Sequence, residues 1–288
     1  MASLWKSTVV TLEMIKWEHS VFALPFALTG AVLAAEGWPP MRALGWIVVC
    51  MVAARSAAMA FNRLVDARLD AANPRTVMRA LPAGMLSSGF VGGFVVASVA
   101  LFLLGAAMLN RLTLVLAPIV LVIVLAYSYM KRVTRWSHLV LGLALGIAPS
   151  AAWIAVRGTL DARIVVLTVA VLLWVAGFDV LYACQDFEHD RKVGLNSVPQ
   201  AFGVVTAFWI ARAMHLGMLL LLCWLMVLFG LGKVAVLGVV LVALLLLYEH
   251  SIISPKDMRR MNAAFFTLNG VISVVFFGFV AADILLRR

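Results

Sequence analysis

Long apolar segments separated by short polar stretches recur along the whole chain. Each segment approaches the roughly 20 residues that an α-helix needs to cross a bilayer core about 30 Å thick. The segments cover residues 19–36, 43–65, 87–109, 112–130, 137–156, 164–184, 204–229, 233–249 and 264–286. The first segment is short and contains Pro25, which leaves eight spans as the alternative. The pattern predicts an all-α integral membrane protein with nine transmembrane helices.

Basic residues are distributed unevenly between the two sides of a membrane crossed nine times. One side carries fourteen of them and the other side carries seven. The fourteen are Lys6, Lys16, Arg63, Arg68, Arg75, Arg79, Lys131, Arg132, Arg135, Arg191, Lys192, Lys256, Arg259 and Arg260. Cytoplasmic loops of membrane proteins are enriched in Lys and Arg, so we predict a cytoplasmic N-terminus. We expect a multi-pass protein of a bacterial-type inner membrane.

The composition supports this prediction and limits the partners. Of the 288 residues, 65% are hydrophobic and 12% are charged, and the mean hydropathy is +1.07. Soluble domains usually carry about 25% charged residues. In a membrane protein, we expect the net charge of +10 to reflect basic residues that contact anionic lipid headgroups or an anionic substrate. No nucleic-acid partner is expected. The three cysteines are scattered, which argues against disulfides and a zinc site.

Three oxygen-bearing side chains recur at steps of four residues where the second apolar segment ends. They are Asn62, Asp66 and Asp70, in the sequence NRLVDARLD. A step of four residues advances about 400° around an α-helix, so these side chains share one face. Arg55 lies seven residues before Asn62, within about 20° of the same face. The helix is predicted to present this polar strip to the bundle interior.

A second acidic cluster follows the sixth apolar segment, in the sequence DVLYACQDFEHD. It contains Asp179, Asp186 and Asp190. Separations of seven and eleven residues are close to whole turns, so a continuous helix would place the three carboxylates on one face. The chain thus carries two acidic strips at equivalent ends of two predicted spans.

Two such strips need a cation between them. Carboxylates at a membrane boundary repel one another and are costly unless they are paired or bound to metal. Facing strips of hard oxygen ligands suit Mg²⁺, which binds carboxylates together with substrate phosphates. The alternative is a solvated loop in which the acids pair with arginines. Those arginines would be Arg63, Arg68, Arg75 and Arg79.

Side chains suited to a diphosphate accompany the acids on the same predicted side. Arg and Lys neutralise the charge of a departing diphosphate. The candidates are Arg75, Arg79, Lys131, Arg132, Arg191 and Lys192. Tyr127 and Lys131 are one helical turn apart, so a phenol and an ammonium would reach the same oxygens. An interfacial Tyr beside a snorkelling Lys is the alternative.

Three polar stretches carry a family resemblance: NRLVDARLDAANPRTVMRALPAG, AYSYMKRVTRWSH and DVLYACQDFEHDRKVGLNSVPQAFG. They resemble the signatures of the UbiA superfamily of intramembrane prenyltransferases, and in particular its 4-hydroxybenzoate polyprenyltransferase branch. The resemblance extends over nearly the whole chain and implies one domain, residues 1–288, with nine helices bundled around a central cavity. It implies Mg²⁺-dependent transfer of a polyprenyl group from polyprenyl diphosphate to the ring of an aromatic acid. The distribution of basic residues predicts that this active site faces the cytoplasm.

The same resemblance implies a role for each matching position. The implied metal ligands are Asn62, Asp66, Asp70, Asp186 and Asp190, and these four aspartates and Asp179 form the implied catalytic set. The implied diphosphate contacts are Arg75, Arg79, Tyr127 and Lys131. Arg55 is implied to hold the carboxylate of the aromatic acceptor, and the alternative is a buried arginine paired with Asp66 or with a helix end. Asp179 and Tyr182 match the extended second motif, on the acceptor side, where Asp179 is a candidate proton acceptor.

The acceptor is the least constrained part of the prediction. We expect 4-hydroxybenzoate, as in ubiquinone-type quinone biosynthesis, with 1,4-dihydroxy-6-naphthoate of menaquinone biosynthesis as the alternative. Asn196 stands where many relatives have Lys, which implies a weaker phosphate contact. Four aromatic residues are candidates either to flank the isoprenoid tail or to pack helices together. They are Phe22, Phe26, Trp174 and Phe178.

Two other classes of membrane protein share some of these features. CDP-alcohol phosphotransferases combine acidic motifs with Mg²⁺, but the sequence lacks their Asp-Gly run and their spacing. A cation-coupled transporter would place ionisable groups near the bilayer midplane. Arg212 and His215, within the seventh segment, favour a transporter, whereas the acids cluster at one end of the spans. Prenyl transfer is the predicted function.

Overall fold

A computed structural model describes residues 2–15, 22–261 and 263–287. The predicted start of the first span, residues 19–21, and the basic residues Lys16 and Arg288 lie outside the described residues. The described part of the chain is helical, apart from its connections and one isolated bridge between Ser254 and Asp257. This confirms the all-α prediction for the part of the chain that is described.

Twelve α-helices follow one another along the described ranges. They are α1 (Ala2–Ile15), α2 (Leu24–Ala35), α3 (Met41–Ala72), α4 (Ser88–Leu109), α5 (Arg111–Val133), α6 (Ser137–Arg157), α7 (Ala162–Ala183), α8 (Phe187–Val193), α9 (Val198–Phe202), α10 (Val204–Leu228), α11 (Lys233–Ile252) and α12 (Asn269–Leu286). A short π-helix, Ala263–Leu268, precedes α12.

Eight helical segments of the described chain are long and apolar enough to cross a membrane. They are α3, α4, α5, α6, α7 with its continuation to Val193, α10, α11 and the segment Phe266–Leu286. Helix α2 is also apolar but has 12 residues, or about 18 Å at 1.5 Å per residue. A multi-span membrane fold is therefore confirmed, while a ninth span through α2 stays a prediction.

Helix α3 differs from its prediction in length. The apolar pattern predicts a span over 43–65, but the helix continues to Ala72. Its last turns carry the first acidic cluster, so a polar extension of the same helix presents Asp66 and Asp70 beyond the apolar part. Hydrophobicity marks only the membrane-embedded part of a helix, which explains the difference.

The second acidic cluster does not lie on one continuous α-helix, and that expectation is wrong. Helix α7 ends at Ala183, a 3₁₀ turn covers Cys184–Asp186, and α8 begins at Phe187. A 3₁₀ turn has three residues per turn instead of 3.6 and so changes the direction of the side chains that follow. Asp179 and Asp190 are thus placed by two different helices.

Helix α7 is the centre of the bundle and packs against α6 and α10. Trp174 and Phe26 are fully buried, with ring centroids 5.0 Å apart. The indole of Trp174 donates a hydrogen bond of 2.9 Å to Asn269 Oδ1 at the start of α12. Of the four aromatic candidates for the isoprenoid tail, Trp174 and Phe26 therefore belong to the helix-packing core.

Helices α6 and α7 approach each other closely through small residues. Gly142 and Gly146 are spaced by four on α6, and a Cβ atom on either would collide with the backbone carbonyl of Leu172 or Thr168 on α7. Small residues at this spacing allow helix backbones in membranes to come together. The close contact fixes how α6 side chains meet α7.

Candidate active site

A cavity of about 510 Å³ runs through the bundle between α3, α5, α6 and α7. The twelve residues to which the family resemblance assigns a role all line it. They are Arg55, Asn62, Asp66, Asp70, Arg75, Arg79, Tyr127, Lys131, Asp179, Tyr182, Asp186 and Asp190. Two other predicted phosphate contacts, Arg191 and Lys192, are exposed and are not among the lining residues. The fold therefore brings together both acidic clusters and four of the six basic candidates.

The first acidic cluster is held by an amide and two arginines. Asn62 Nδ2 donates to Asp66 Oδ2 over 2.9 Å, and Arg132 Nη2 donates to Asp66 Oδ1 over 2.7 Å. Arg79 Nη1 donates to Asp70 Oδ1 over 2.6 Å. Asn62 and Arg132 thus hold the two carboxylate oxygens of Asp66.

The connection after α3 places a further arginine on the second cluster. Asn73 Oδ1 accepts a hydrogen bond from the backbone of Arg75 over 2.9 Å, an Asx-type turn. Arg75 then donates from Nε to Asp186 Oδ1 over 2.9 Å and from Nη2 to Asp186 Oδ2. Its Nη1 atom donates to the hydroxyl of Tyr182 over 3.1 Å. Arg75, in the connection that follows the first cluster, thus pairs with the second cluster.

The charge of Arg75 is stabilised by this pair. Burial lowers the pKa of the guanidinium, but the hydrogen bond and charge of Asp186 outweigh burial and raise the pKa above its ordinary value. Bidentate pairing of guanidinium and carboxylate is both strong and specific in geometry. Arg75 therefore stays cationic beside the cavity, where an anionic ligand would compete with Asp186 for it.

The solvated-loop alternative describes these arginines only in part. Arg75, Arg79 and Arg63 do lie beside acids, with Arg63 Nη1 3.9 Å from Asp70 Oδ2. However, the side chains of Asp70 and Asp186 are each only 9% exposed. The pairs therefore line a largely buried cavity, not a loop surrounded by water.

Two carboxylate oxygens at this end of the cavity fit a bound cation. Asp70 Oδ2 and Asp190 Oδ2 are buried and have no hydrogen-bond partner among the described residues. Buried polar atoms normally have a partner, and a charged oxygen without one is costly. No three His, Cys, Asp or Glu side chains of the described chain form a ready metal cage, and Asp70 and Asp66 are each paired with an arginine. The donor set is nevertheless the oxygen type that Mg²⁺ prefers.

Lys131 and Tyr127 occupy the space between the clusters. The ammonium of Lys131 interacts electrostatically with Asp179, Asp186 and Asp190, and with the phenol of Tyr127. Its backbone carbonyl accepts a hydrogen bond of 2.7 Å from the backbone nitrogen of Asn196. One turn of α5 thus supplies a cation and a phenol to the acidic end of the cavity, as the YxxxK spacing predicts.

The rest of the cavity is apolar and reaches the opposite end of the bundle. Its lining includes Cys50, Phe102, Leu109 and Thr113 on α3, α4 and α5, and Leu160 beyond the end of α6. The other two aromatic candidates, Phe22 and Phe178, also line the cavity. The cavity therefore suits an amphipathic ligand, with a polar head group at the acidic end and an extended apolar tail along the apolar part.

His138 is a site residue that sequence reasoning misses. It is fully buried at the start of α6, and its Nδ1 atom lies 2.6 Å from Asp179 Oδ2. No periodic pattern marks it, because it stands alone among apolar residues of α6. Its position eleven residues after Tyr127, inside the second quoted stretch, is the one signal that the sequence offers.

The residues that favoured a transporter lie away from the cavity. His215 Nδ1 lies 2.9 Å from His250 Nε2, and its Nε2 atom lies 3.3 Å from the carbonyl of Trp174. The guanidinium of Arg212 stacks over the ring of Trp209 at 4.7 Å. None of these five residues belongs to the lining of the cavity. The pair of histidines ties α10 to α11 and α7.

Comparison with protein families and curated sequences gives a consistent result. The profile of the UbiA prenyltransferase family matches residues 23–271. A 4-hydroxybenzoate octaprenyltransferase of Vibrio cholerae is 34% identical over 248 residues, which cover 85% of this chain and 86% of the relative. A 4-hydroxybenzoate solanesyltransferase of Synechocystis is 34% identical over 229 residues, covering 76% and 78% of the two chains.

Solved structures agree with the fold. The apo structure of a UbiA homolog from Aeropyrum pernix is 32% identical, has a TM-score of 0.84, and the match covers 93% of this chain and 98% of that one. A UbiA homolog from Archaeoglobus fulgidus, solved with DMAPP and Mg²⁺, is 17% identical with a TM-score of 0.73, covering 95% and 98%. The latter comparison supports the fold alone.

Proposed function

The chain belongs to the UbiA prenyltransferase family, and we propose that it transfers a polyprenyl group from polyprenyl diphosphate to 4-hydroxybenzoate with Mg²⁺, releasing diphosphate. The observation that carries the proposal is the meeting of two acidic clusters and four basic residues at one end of an apolar cavity. In the proposal, residues 1–288 form one domain with nine spans, a cytoplasmic N-terminus and an acidic end facing the cytoplasm. The excess of basic residues on that side supports the orientation.

The diphosphate is proposed to bind at the acidic end. Its cationic contacts would be Arg75, Arg79 and Lys131, with the hydroxyl of Tyr127 as a further donor. Mg²⁺ would be held by Asn62, Asp66, Asp70, Asp186 and Asp190, and it would supply positive charge to the leaving diphosphate. Support comes from the buried oxygens of Asp70 and Asp190, which accept no hydrogen bond from the described residues. The backbone nitrogen of Asn196 donates a hydrogen bond to the carbonyl of Lys131, a contact that does not depend on its side chain.

The chemistry follows from this arrangement of charges. The allylic C–O bond breaks with its electron pair on the diphosphate, where preorganised cations stabilise the new charge. The ring carbon ortho to the acceptor hydroxyl then bonds to the allylic carbon. The displaced ring proton passes to a base, and the aromatic ring is restored. The burial of the site limits water, which would otherwise capture the allylic cation.

The acceptor is proposed to lie deeper in the cavity, beside α3 and α7. Arg55 would bind its carboxylate, because this cation lines the cavity about two helical turns before Asn62. Asp179 and Tyr182 would complete that part of the site. The 34% identity to two enzymes named for 4-hydroxybenzoate supports this acceptor, and 1,4-dihydroxy-6-naphthoate remains the alternative.

The decisive assay uses purified protein in detergent and radiolabelled polyprenyl diphosphate. The two aromatic acids are offered separately, with and without Mg²⁺. We expect Mg²⁺-dependent labelled product from 4-hydroxybenzoate. If only the naphthoate gives product, the naphthoate is the acceptor and the reaction class is unchanged. If the polyprenyl diphosphate stays intact with both aromatic acids, prenyl transfer is contradicted.

Arg55→Ala is expected to affect mainly the aromatic acceptor. Losing a cation that binds a carboxylate in a partly buried site should raise the KM for the acceptor by on the order of 10- to 100-fold. The KM for polyprenyl diphosphate should change little. Steady-state kinetics with each substrate varied in turn measures both constants. Arg68→Ala is the matched control, because Arg68 lies on the same helix but is exposed and outside the cavity lining.

A different result for Arg55→Ala would change the assignment. If the KM for the diphosphate rises instead, Arg55 belongs to the donor site. If neither KM moves, the acceptor carboxylate is bound elsewhere.

A further inference from the structure

One buried histidine connects the cavity wall to the segment after the second acidic cluster. His138 Nδ1 lies 2.6 Å from Asp179 Oδ2 on α7. On the other side of the ring, His138 Nε2 lies 3.2 Å from the backbone nitrogen of Val198, at the start of α9. Both ring nitrogens are satisfied, as expected for a fully buried imidazole.

These two contacts define the protonation of the ring. A backbone N–H can only donate, so Nε2 of His138 accepts the hydrogen bond from Val198. A neutral imidazole carries one proton, which this network assigns to Nδ1, and Nδ1–H donates to Asp179. The ring then has no nitrogen left to accept a proton from a substrate. Histidine is a common proton acceptor near neutral pH. Because both ring nitrogens of His138 are engaged, that role falls to Asp179.

Asp179 is accessible from the cavity, whereas His138 is not. Its side chain is 16% exposed and lines the cavity, whereas the ring of His138 is fully buried. The charge of Asp179 acts on Tyr127 and Lys131 across the cavity. A carboxylate with one oxygen held by a fixed donor keeps a defined rotation, which aligns it for proton transfer.

The frame around His138 is rigid. The close contact at Gly142 and Gly146 fixes α6 against α7, so His138 and Asp179 meet without a flexible connection. The segment around Val198 is itself tied down, with Leu195 N donating to the Asp190 carbonyl over 2.9 Å. His138 therefore holds Asp179 in register with the acidic end of the cavity.

We infer that His138 is a positioning residue that holds Asp179 as the acceptor of the ring proton. The inference rests on the proposed function. In this step the ring carbon bonds to the allylic carbon, and the C–O electron pair leaves with the diphosphate. The C–H electron pair then restores the aromatic ring while the proton passes to Asp179. His138 itself stays neutral throughout.

Two conservative variants separate the two hydrogen bonds of His138. The amide of His138→Asn ends near the Nδ1 position and can still donate to Asp179, whereas that of His138→Gln ends near Nε2 and keeps only the Val198 contact. We expect His138→Asn to retain a kcat close to that of the unmodified protein. His138→Gln should lower kcat on the order of 100-fold, because the carboxylate is misplaced. The KM for polyprenyl diphosphate should stay unchanged in both variants.

An isotope effect distinguishes positioning from a loss of structure. The acceptor is used with deuterium on the ring carbon ortho to the hydroxyl, and kcat is compared with the ordinary acceptor. If His138 positions the base, the isotope effect on kcat increases in His138→Gln, because proton removal becomes slower than the other steps. Equal losses of kcat in both variants, with no increase in the isotope effect, would overturn the inference.

Two further variants keep the test decisive even if a His138 variant does not fold. Asp179→Asn removes the base, so an unchanged kcat there would refute the inference outright. When His138→Gln is added to Asp179→Asn, kcat should fall no further than in Asp179→Asn alone, because His138 acts through Asp179. Thr168→Val is the control, since it removes a 2.6 Å contact with Ser150 between the same two helices and should leave kcat and the isotope effect unchanged.

The proposed function and this inference fail differently. Absence of aromatic product with the unmodified protein contradicts the proposed function. Normal aromatic product together with an unchanged kcat in His138→Gln contradicts the inference alone.

Discussion

Asp186→Ala is expected to abolish prenyl transfer while leaving a folded membrane protein. Asp186 accepts hydrogen bonds from two guanidinium nitrogens of Arg75, Nε and Nη2, and lies at the acidic end of the cavity. Without its carboxylate, the proposed site loses a metal ligand and the anchor that aims Arg75. The combined loss of charge stabilisation should lower kcat by on the order of 1,000-fold or more. Asp66→Ala should behave in the same way, because Asp66 holds the equivalent place in the first cluster.

The measurement is turnover of purified variants with polyprenyl diphosphate and the accepted aromatic acid. Circular dichroism and size-exclusion chromatography establish that the variants keep their helices and their monodispersity. Glu188→Ala is the matched control, because Glu188 lies two residues away but is exposed and outside the cavity lining. Near-normal turnover of Asp186→Ala would rule out a metal site shared by the two acidic clusters.

Removal of divalent cations is expected to have a comparably large effect. Asp70 Oδ2 and Asp190 Oδ2 are buried and accept no hydrogen bond from the described residues, so a cation at the acidic end would satisfy both oxygens. With excess chelator, turnover should fall by on the order of 1,000-fold and return when Mg²⁺ is restored. Diphosphate affinity, measured by equilibrium binding of an unreactive analogue, should fall together with turnover.

A variant connects this cation requirement to the chain. Asp70→Asn should raise the Mg²⁺ concentration that gives half-maximal activity, because a neutral amide is a weaker ligand than a carboxylate. Asp257→Asn should leave that concentration unchanged, since Asp257 lies in the connection after α11 and pairs with Arg259. Full activity of the unmodified protein in excess chelator would contradict the metal requirement.

Much of the fold is readable from the sequence because the bilayer imposes a simple rule. Backbone groups in a membrane must be satisfied within the segment, so runs of about 20 apolar residues form helices. Predicted spans such as 87–109 and 204–229 accordingly agree with Ser88–Leu109 and Val204–Leu228. The rule fails at helix α1, which is not an apolar run, and at the polar extension of α3, where hydrophobicity no longer reports helix length.

The candidate site is readable from the sequence for a different reason. Acids are expensive beside a membrane, so the two clusters at the ends of apolar segments indicate function even before their positions are known. The regular spacing of Asn62, Asp66 and Asp70 identifies a shared face because that helix continues without interruption. In the second cluster the same argument gives the right residues but the wrong path, since the 3₁₀ turn at Cys184–Asp186 interrupts the helix.

The sequence by itself determines a multi-span helical protein, the identity of its acidic clusters and the family that it resembles. Only the tertiary structure decides which side chains meet. Arg75 and Asp186 are 111 positions apart, and the pairing of His138 with Asp179 depends on the close contact of α6 and α7 at Gly142. Periodicity describes one helix at a time, whereas contacts between helices depend on crossing geometry and on where small residues let backbones approach.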